Sequence, residues 1–313
     1  MKTRTVLHAL EGEDCSARAV SIDRLEQLKE DIVSLRTSGV LDKNVYNDYL
    51  LTMKYEVPKD FPEARSIIVI AVPHPQLKIA FMWRGRRIET VVPPTYAFAR
   101  EVDERVKEVM ARGIAPEVLR IERAILPLKT LASRSGLTLY GRNNIAYVPK
   151  KGSFHRLMAF FSDLDCDDDQ WGDRKMLPAC KTCRNCLKAC PNGVIGEDRF
   201  LIGVERCLTY LNEQSAEKAF PDWVDPAAHN AIVGCMHCQR VCPYDKTSIG
   251  SYTDGGEFSE AETTYLLKGQ FNGKKAKRME DKLKWIGLDL SIFPRNLKVL
   301  MDQQDWTATI AKG

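Results

Sequence analysis

Histidine is scarce in this chain. There are five in 313 residues, and no two stand at the spacing with which a helix or turn presents a pair of imidazole ligands. A metal centre built on histidine is therefore not expected. Long hydrophobic runs are missing as well. The longest, SIIVIAV at residues 66–72, is far shorter than the about 20 residues that a bilayer requires, so it reads as a buried strand and no membrane partner is expected. Nothing in MKTRTVLHALEGEDC combines a charged segment with an apolar one, and no twin arginine stands there. The chain is expected to stay in a reducing cytoplasm, where a disulfide framework would not persist. Neither sign of charge dominates: the net charge of +4 is too small to argue for nucleic acid by itself. The one basic cluster, Lys274, Lys275, Lys277 and Arg278, is followed by Glu280 and Asp281 and reads as a solvated helix face. No repeat with a period of about 20 to 50 residues and no low-complexity segment is present.

Cysteine is abundant and uneven. Eight of ten lie between Cys180 and Cys242. In CKTCRNCLKACP, Cys180, Cys183, Cys186 and Cys190 are separated by two, two and three residues, and Pro191 closes the run. That is the spacing of a bacterial ferredoxin with two cubane iron–sulfur clusters, in which the fourth cysteine ligates the other cluster. The run CMHCQRVCP supplies Cys235, Cys238 and Cys242 but lacks the first cysteine of a quartet, and Cys207 in ERCLTYL is the replacement. Ligand counting then gives Cys180, Cys183, Cys186 and Cys242 to one cluster, and Cys190, Cys207, Cys235 and Cys238 to the other. The alternative is a pair of tetrathiolate zinc sites, which more commonly draw on separated CxxC pairs. Cys15 is expected to be a small buried hydrophobe, and Cys166, in DLDCDDDQWGD, to sit in a solvated acidic turn. His237, between two ligand cysteines, is expected to tune a cluster by hydrogen bonding.

With 44% hydrophobic and 28% charged residues, the chain is long enough for a full core. Ile22, Leu25, Leu28, Ile32 and Leu35 recur at helical spacing, so an amphipathic helix over 21–36 opens the fold. Residues 64–75 give a central strand ending at proline, 97–111 a helix, 120–135 another, and NNIAYVP a strand. This alternation predicts an α/β layer over 1–169, a cluster segment over 170–250 with little core of its own, and a mainly helical part over 251–313.

Several stretches together resemble the epoxyqueuosine reductase family, cobalamin-dependent iron–sulfur enzymes related in architecture to reductive dehalogenases. They are the CxxCxxCxxxCP run, RCLTYL and GCMHCQRVCPYD in that order, FPEARSIIVIAVPHP upstream, and SGLTLYGRNNIAYVPKKGSF. The resemblance covers roughly residues 60–300. It implies a nitroreductase-like, cobalamin-binding α/β domain joined to a bacterial ferredoxin-like double 4Fe–4S module, with Gly136, Tyr140, Gly141, Arg142, Asn143, Asn144, Gly152 and Ser153 around the corrin. Glycine would let backbone amides approach the macrocycle, and Asn or Arg could bond its carboxamide rim. Plain turn chemistry is the other reading of GRNN. Two departures stand out. The family's acidic proton donor precedes the corrin loop, but RIERAILPLKTLASRSGLT has no aspartate, and Glu122 is the nearest acid. Tyr96 takes the place of the tyrosine in the family's Tyr-His pair, with Ala97 where histidine would be. Relatives acting on transfer RNA carry a helical-repeat tail that is not found by residue 313, which puts a transfer RNA partner in doubt.

The expected activity is an oxidoreductase: electrons from a low-potential donor of ferredoxin or flavodoxin type pass through two 4Fe–4S clusters to cobalamin, which reduces an organic substrate while Tyr96 or Glu122 supplies a proton. The alternatives are an electron carrier without chemistry of its own, or a reductase that recharges a separate corrinoid protein. The upstream α/β region is larger than a carrier needs.

Overall fold

The computed structural model describes residues 3–112, 119–197, 201–283, 286 and 290–310. Its principal elements begin with α1 (Thr3–Gly12), β1 (Ser16–Ser21), α2 (Arg24–Thr37), β2 (Ser66–Pro73), β3 (Gln76–Trp83) and β4 (Arg86–Val92). Then come α3 (Ala99–Arg112), β5 (Ile121–Arg123), α4 (Leu128–Arg134), β6 (Leu139–Tyr140), β7 (Ala146–Tyr147) and β8 (His155–Ser162). The cysteine segment carries the short helices α5 (Asn185–Ala189), α6 (Leu208–Glu213) and α7 (His237–Arg240), and is followed by β9 (Tyr252–Phe258), α8 (Glu260–Lys268), α9 (Gly273–Leu283) and α10 (Phe293–Ile310).

The chain divides into two compact units, each assembled from separated stretches: Met1–His74, Arg100–Arg184 and Ile195–Glu205 form the first, and Pro75–Ala99, Asn185–Val194 and Arg206–Gly313 the second. The segments expected from the sequence run consecutively, whereas compactness groups the chain across them. The cysteine run itself crosses from one unit to the other between Arg184 and Asn185.

In the first unit, strands β1, β2, β8 and β5 form a sheet in that order, and every pairing is antiparallel. Side chains alternate across a strand, and both faces of this one are covered. Ile68, Ile70 and Val72 of β2, with Met158 and Phe160 of β8, pack with Val6, Leu10, Val106, Val109 and Met110 from α1 and α3. Ile67, Val69 and Ala71, with Ala159 and Phe161, pack with Leu25, Leu28 and Leu131 from α2 and α4. Double coverage is why SIIVIAV is an unbroken apolar run: a charge on either face would be buried. Each fully buried Ile or Val there contributes about 1.5–3 kcal/mol relative to exposure.

The expected helix over 120–135 is in fact a short strand and a shorter helix. Residues 121–123 pair with 160–162 of β8, and Pro127, whose ring cannot occupy a helix interior, stands immediately before α4. The helices over 24–37 and 99–112 lie where the periodicity places them, but α1 and β1 precede the helix expected to open the fold.

In the second unit, β3 pairs antiparallel with β4 and parallel with β9. Leu77, Ile79 and Phe81 of β3 bury one face against Leu266, Met279, Leu283, Phe293 and Leu297 of α8, α9 and α10, and Phe81 stacks on Phe258 with centroids 4.8 Å apart. On α9 the buried face is Ala276, Met279 and Leu283, which leaves the lysine cluster exposed as expected. Among the described residues no helix is long and apolar enough to cross a membrane.

Candidate functional site

Three expected ligands of one cluster come together in the second unit. Cys207 is the residue before the first turn of α6, where its side chain makes no capping hydrogen bond, and Thr209 and Tyr210 lie close enough to perturb its thiol. Cys235 follows Gly234, whose φ of 68° suits glycine, and receives the His237 amide. Cys190 lies close enough to perturb both thiols. Burial pushes the Cys207 thiol upward and that of Cys235 up to about 12, and the neighbouring sulfurs add to the effect. Crowded buried sulfurs of this kind give up their protons when a metal's positive charge replaces them, which suits a metal-sulfur cage.

Cys238 lies on α7 and Cys186 on α5; the two helices pack together, and Asn185 Nδ2 donates to the Val241 carbonyl at 3.4 Å. All eight cysteines of the segment are half-buried. Among the described residues no three His, Cys, Asp or Glu side chains converge as a site for one metal ion. The His237 ring is turned to the Ala228 carbonyl, with Nε2 2.8 Å away, so its contact with a ligand sulfur runs through the main chain.

Two residues of α10 hold this cage from behind. Arg295 donates to the carbonyls of Leu211 (2.8 Å), Gln214 (3.0 Å) and Lys218 (2.8 Å), which cap the C-terminal end of α6, and its guanidinium lies 4.2 Å from the Phe220 ring centroid. Asn296 Nδ2 bonds the carbonyls of Asn212 and Ile232 at 2.9 and 3.0 Å, and Asn212 Nδ2 bonds the Gly234 carbonyl at 2.7 Å. The segments bearing Cys207 and Cys235 are thus fixed to one helix. Sequence reading missed both residues, because nothing in PRNLKVL separates a clamp from an exposed helix start; an Arg-Asn pair inside an apolar stripe is the only trace.

In the first unit, the stretch expected around a corrin forms a tight, buried turn system. Gly136 has a φ of 72°, Asn144 58° and Gly152 78°. Gly141 has no room for a side chain, since a Cβ would lie 2.4 Å from Asn143 Oδ1 and 2.5 Å from Tyr147 Cε2. Tyr140, Arg142, Asn143, Asn144 and Ser153 are all buried. Asn143 Nδ2 donates to the Tyr147 hydroxyl at 2.9 Å, and Lys129 Nζ donates to the Asn144 carbonyl and side chain at 3.0 and 2.7 Å. Burial raises the Tyr140 phenol to about 12. Arg142 donates to the carbonyls of Cys180 and Glu197, which ties this turn to the first cysteine of the run. Its Nε, Ser133 Oγ and Thr138 Oγ1 are buried without a hydrogen bond. Such orphaned polar atoms in one stretch fit a ligand rich in amides.

The two candidate proton donors belong to different units. The Tyr96 hydroxyl donates to Glu213 Oε1, and its ring lies against Gly234, where a Cβ would meet Cε2 at 2.9 Å. Glu122 lies on β5 and accepts from Arg120 at 2.6 Å, so it is a strand residue in an ion pair rather than part of a helix. Cys15 is buried and Cys166 half-buried.

Residues 179–245 match the family of 4Fe–4S double cluster binding domains. Over 199 residues the chain is 27% identical to the epoxyqueuosine reductase of Cyclobacterium marinum, an alignment covering 62% of this chain and 61% of that protein. Over 241 residues it is 24% identical to the Staphylococcus aureus protein of that name, covering 72% and 59%. Its relatives are epoxyqueuosine reductases. The chain spans about three fifths of the length of these two. In fold, the epoxyqueuosine reductase of Streptococcus thermophilus superposes with a TM-score of 0.66 at 19% identity, covering 96% of this chain and 80% of that one. An epoxyqueuosine reductase solved with a modified tRNA-Tyr stem loop gives 0.67 at 17% identity, with the same coverage. The fold of this chain is that of the epoxyqueuosine reductases, and it includes a 4Fe–4S double cluster binding domain.

Proposed function

We propose that the protein is an iron–sulfur, cobalamin-dependent reductase of the epoxyqueuosine reductase type, working in the cytoplasm. The observation that carries this reading is the joining of a double-cluster segment to a fold shared with epoxyqueuosine reductases over nearly the whole chain. In this reading Cys180, Cys183, Cys186 and Cys242 hold one cluster, and Cys190, Cys207, Cys235 and Cys238 the other. Polar groups beside Cys207 and Cys235 would stabilise the reduced, more negative state of a cluster held there.

Cobalamin, when bound, supplies a metal centre that takes single electrons at low potential and acts on carbon. Residues of the Gly136–Ser153 stretch would hold it. The orphaned donors on Ser133, Thr138 and Arg142 would be free for its amide rim, Gly141 would let the backbone approach, and Lys129 fixes the turn at Asn144. Tyr96 holds a proton on its hydroxyl, oriented by Glu213, and Glu122 is the second candidate acid. The substrate is an organic molecule or a separate corrinoid. A transfer RNA substrate is a finer form of the same reading, supported by the relative solved with a tRNA stem loop.

Anaerobic reconstitution with iron, sulfide and cobalamin tests this. About eight irons per chain with a retained corrin and a base-off cobalt(II) resonance is the expected result. Eight irons without retained corrin would leave an electron carrier and overturn the cobalamin reading.

A further inference from the structure

If the cysteine segment holds two clusters in series, the first of them must receive its electrons across the protein surface. The exposed residues near the two groups of ligands differ in charge. Near Cys207, Arg206 covers Trp223 at 4.4 Å from its ring centroid, and Glu205, Asp222 and Asp225 are exposed beside them, so charge is mixed. Along the chain around Cys242, the exposed charges have one sign. Arg240, Val241, Pro243, Tyr244 and Lys246 are exposed, while Asp245, the one acid in that stretch, is fully buried. Lys188, also exposed, extends the surface from α5, which packs on α7. Among the described residues no ion pair engages Lys188, Arg240 or Lys246, although exposed cations elsewhere in the chain, such as Arg65 and Arg87, are paired.

We propose that Lys188, Arg240, Val241, Tyr244 and Lys246 form the docking surface for an acidic, low-potential electron-donor protein. The proposal rests on the two-cluster reading above. Unpaired cations raise the encounter rate with an acidic partner, and the exposed valine and tyrosine give a small apolar contact beside a cluster ligand. One electron leaves the donor and enters the cluster ligated by Cys186 and Cys242; the donor is oxidised by one electron, the cluster is reduced by one, and no bond changes. A few cations around an apolar centre suit a compact, transient protein contact better than the extended phosphate track of a nucleic acid.

The test follows reduction of the reconstituted full-length protein by a chemically reduced acidic flavodoxin, in stopped flow, over a salt series. In the triple variant Lys188→Glu, Arg240→Glu and Lys246→Glu, the second-order rate falls at least tenfold at low salt and loses its salt dependence, while dithionite still reduces the same amount of cluster. A control reversing Lys274, Lys275 and Lys277 on α9 changes net charge equally and leaves the rate as it was. An unchanged rate in the first variant, or an equal fall in the control, would overturn the docking surface while leaving the two-cluster reading intact. Loss of RNA stem-loop binding with donor reduction preserved would assign the surface to nucleic acid and overturn the proposal. Failure to bind iron in the unaltered protein would remove the reading on which it rests.

Discussion

Replacing Arg295 with methionine isolates what the α10 clamp does. The aliphatic stem stays over Phe220, but the carbonyls of Leu211, Asn212, Gln214, Ser215 and Lys218 lose their common donor. Those of Ser215 and Lys218 are exposed and turn to water. Leu211 and Asn212 are buried, but the Leu211 carbonyl keeps the Gln214 amide and the Asn212 carbonyl keeps Asn296 Nδ2, so each loses one of its donors, at about 0.5–1.5 kcal/mol each. Relief of the guanidinium's own burial, which brings its pKa down to about 10, offsets part of this. A net loss of about 1 kcal/mol follows, or roughly 2–4 °C in melting temperature for a domain of this size. Because α6 carries Cys207, the variant should also hold fewer irons after reconstitution than the native protein. Lysine at 295, a single ammonium rather than a fork, should fall between the two. A methionine variant melting within about 1 °C of the native protein with full iron content would refute the clamp.

Cys207→Ser should leave one cluster near its native content, with about four irons instead of eight; retention of all eight would remove Cys207 from the ligand set. Gly141→Ala forces a Cβ into Asn143 and Tyr147 and should lower stability by about 1–3 kcal/mol and abolish corrin retention, measured by denaturant unfolding and gel filtration with cobalamin. Gly234→Ala combines a positive φ with a contact against Tyr96 and should cost a similar amount, read by the same unfolding assay. Burial lowers His155 and His229 to about 4, so the unfolded chain binds more protons than the folded one between about pH 6.5 and 4. Stability should therefore fall with pH across that window by about 1.4 kcal/mol per unit per histidine, and His155→Phe should remove its share of the slope in urea titrations at several pH values.

The double-cluster segment, matched over residues 179–245, was legible because the x2, x2, x3 rule is local, and residues 180–191 obey it without help from the rest of the fold. The SIIVIAV strand was legible because burial on both faces leaves only apolar residues. Residues 120–135 misled because the apolar positions around Ile125 and Leu126 suit either period, and the decision came from Pro127 together with the pairing to β8. The β3–β4 hairpin and β9 were missed because β9, YTDGGEF, is polar and exposed, and its pairing with β3 joins residues far apart in sequence. Arg295 and Asn296 were invisible for the same reason. Their partners are backbone carbonyls, which no side-chain pattern records.

The dependence of the cluster cage on α10 has a consequence for synthesis. All eight cysteines of the segment leave the ribosome before Arg295 and Asn296 do, so for that interval the segments bearing Cys207 and Cys235 lack the helix that orients them. Clusters loaded here would be best held once α10 has been made, and a fragment ending near Asp245 would carry every thiol of the segment and none of the clamp.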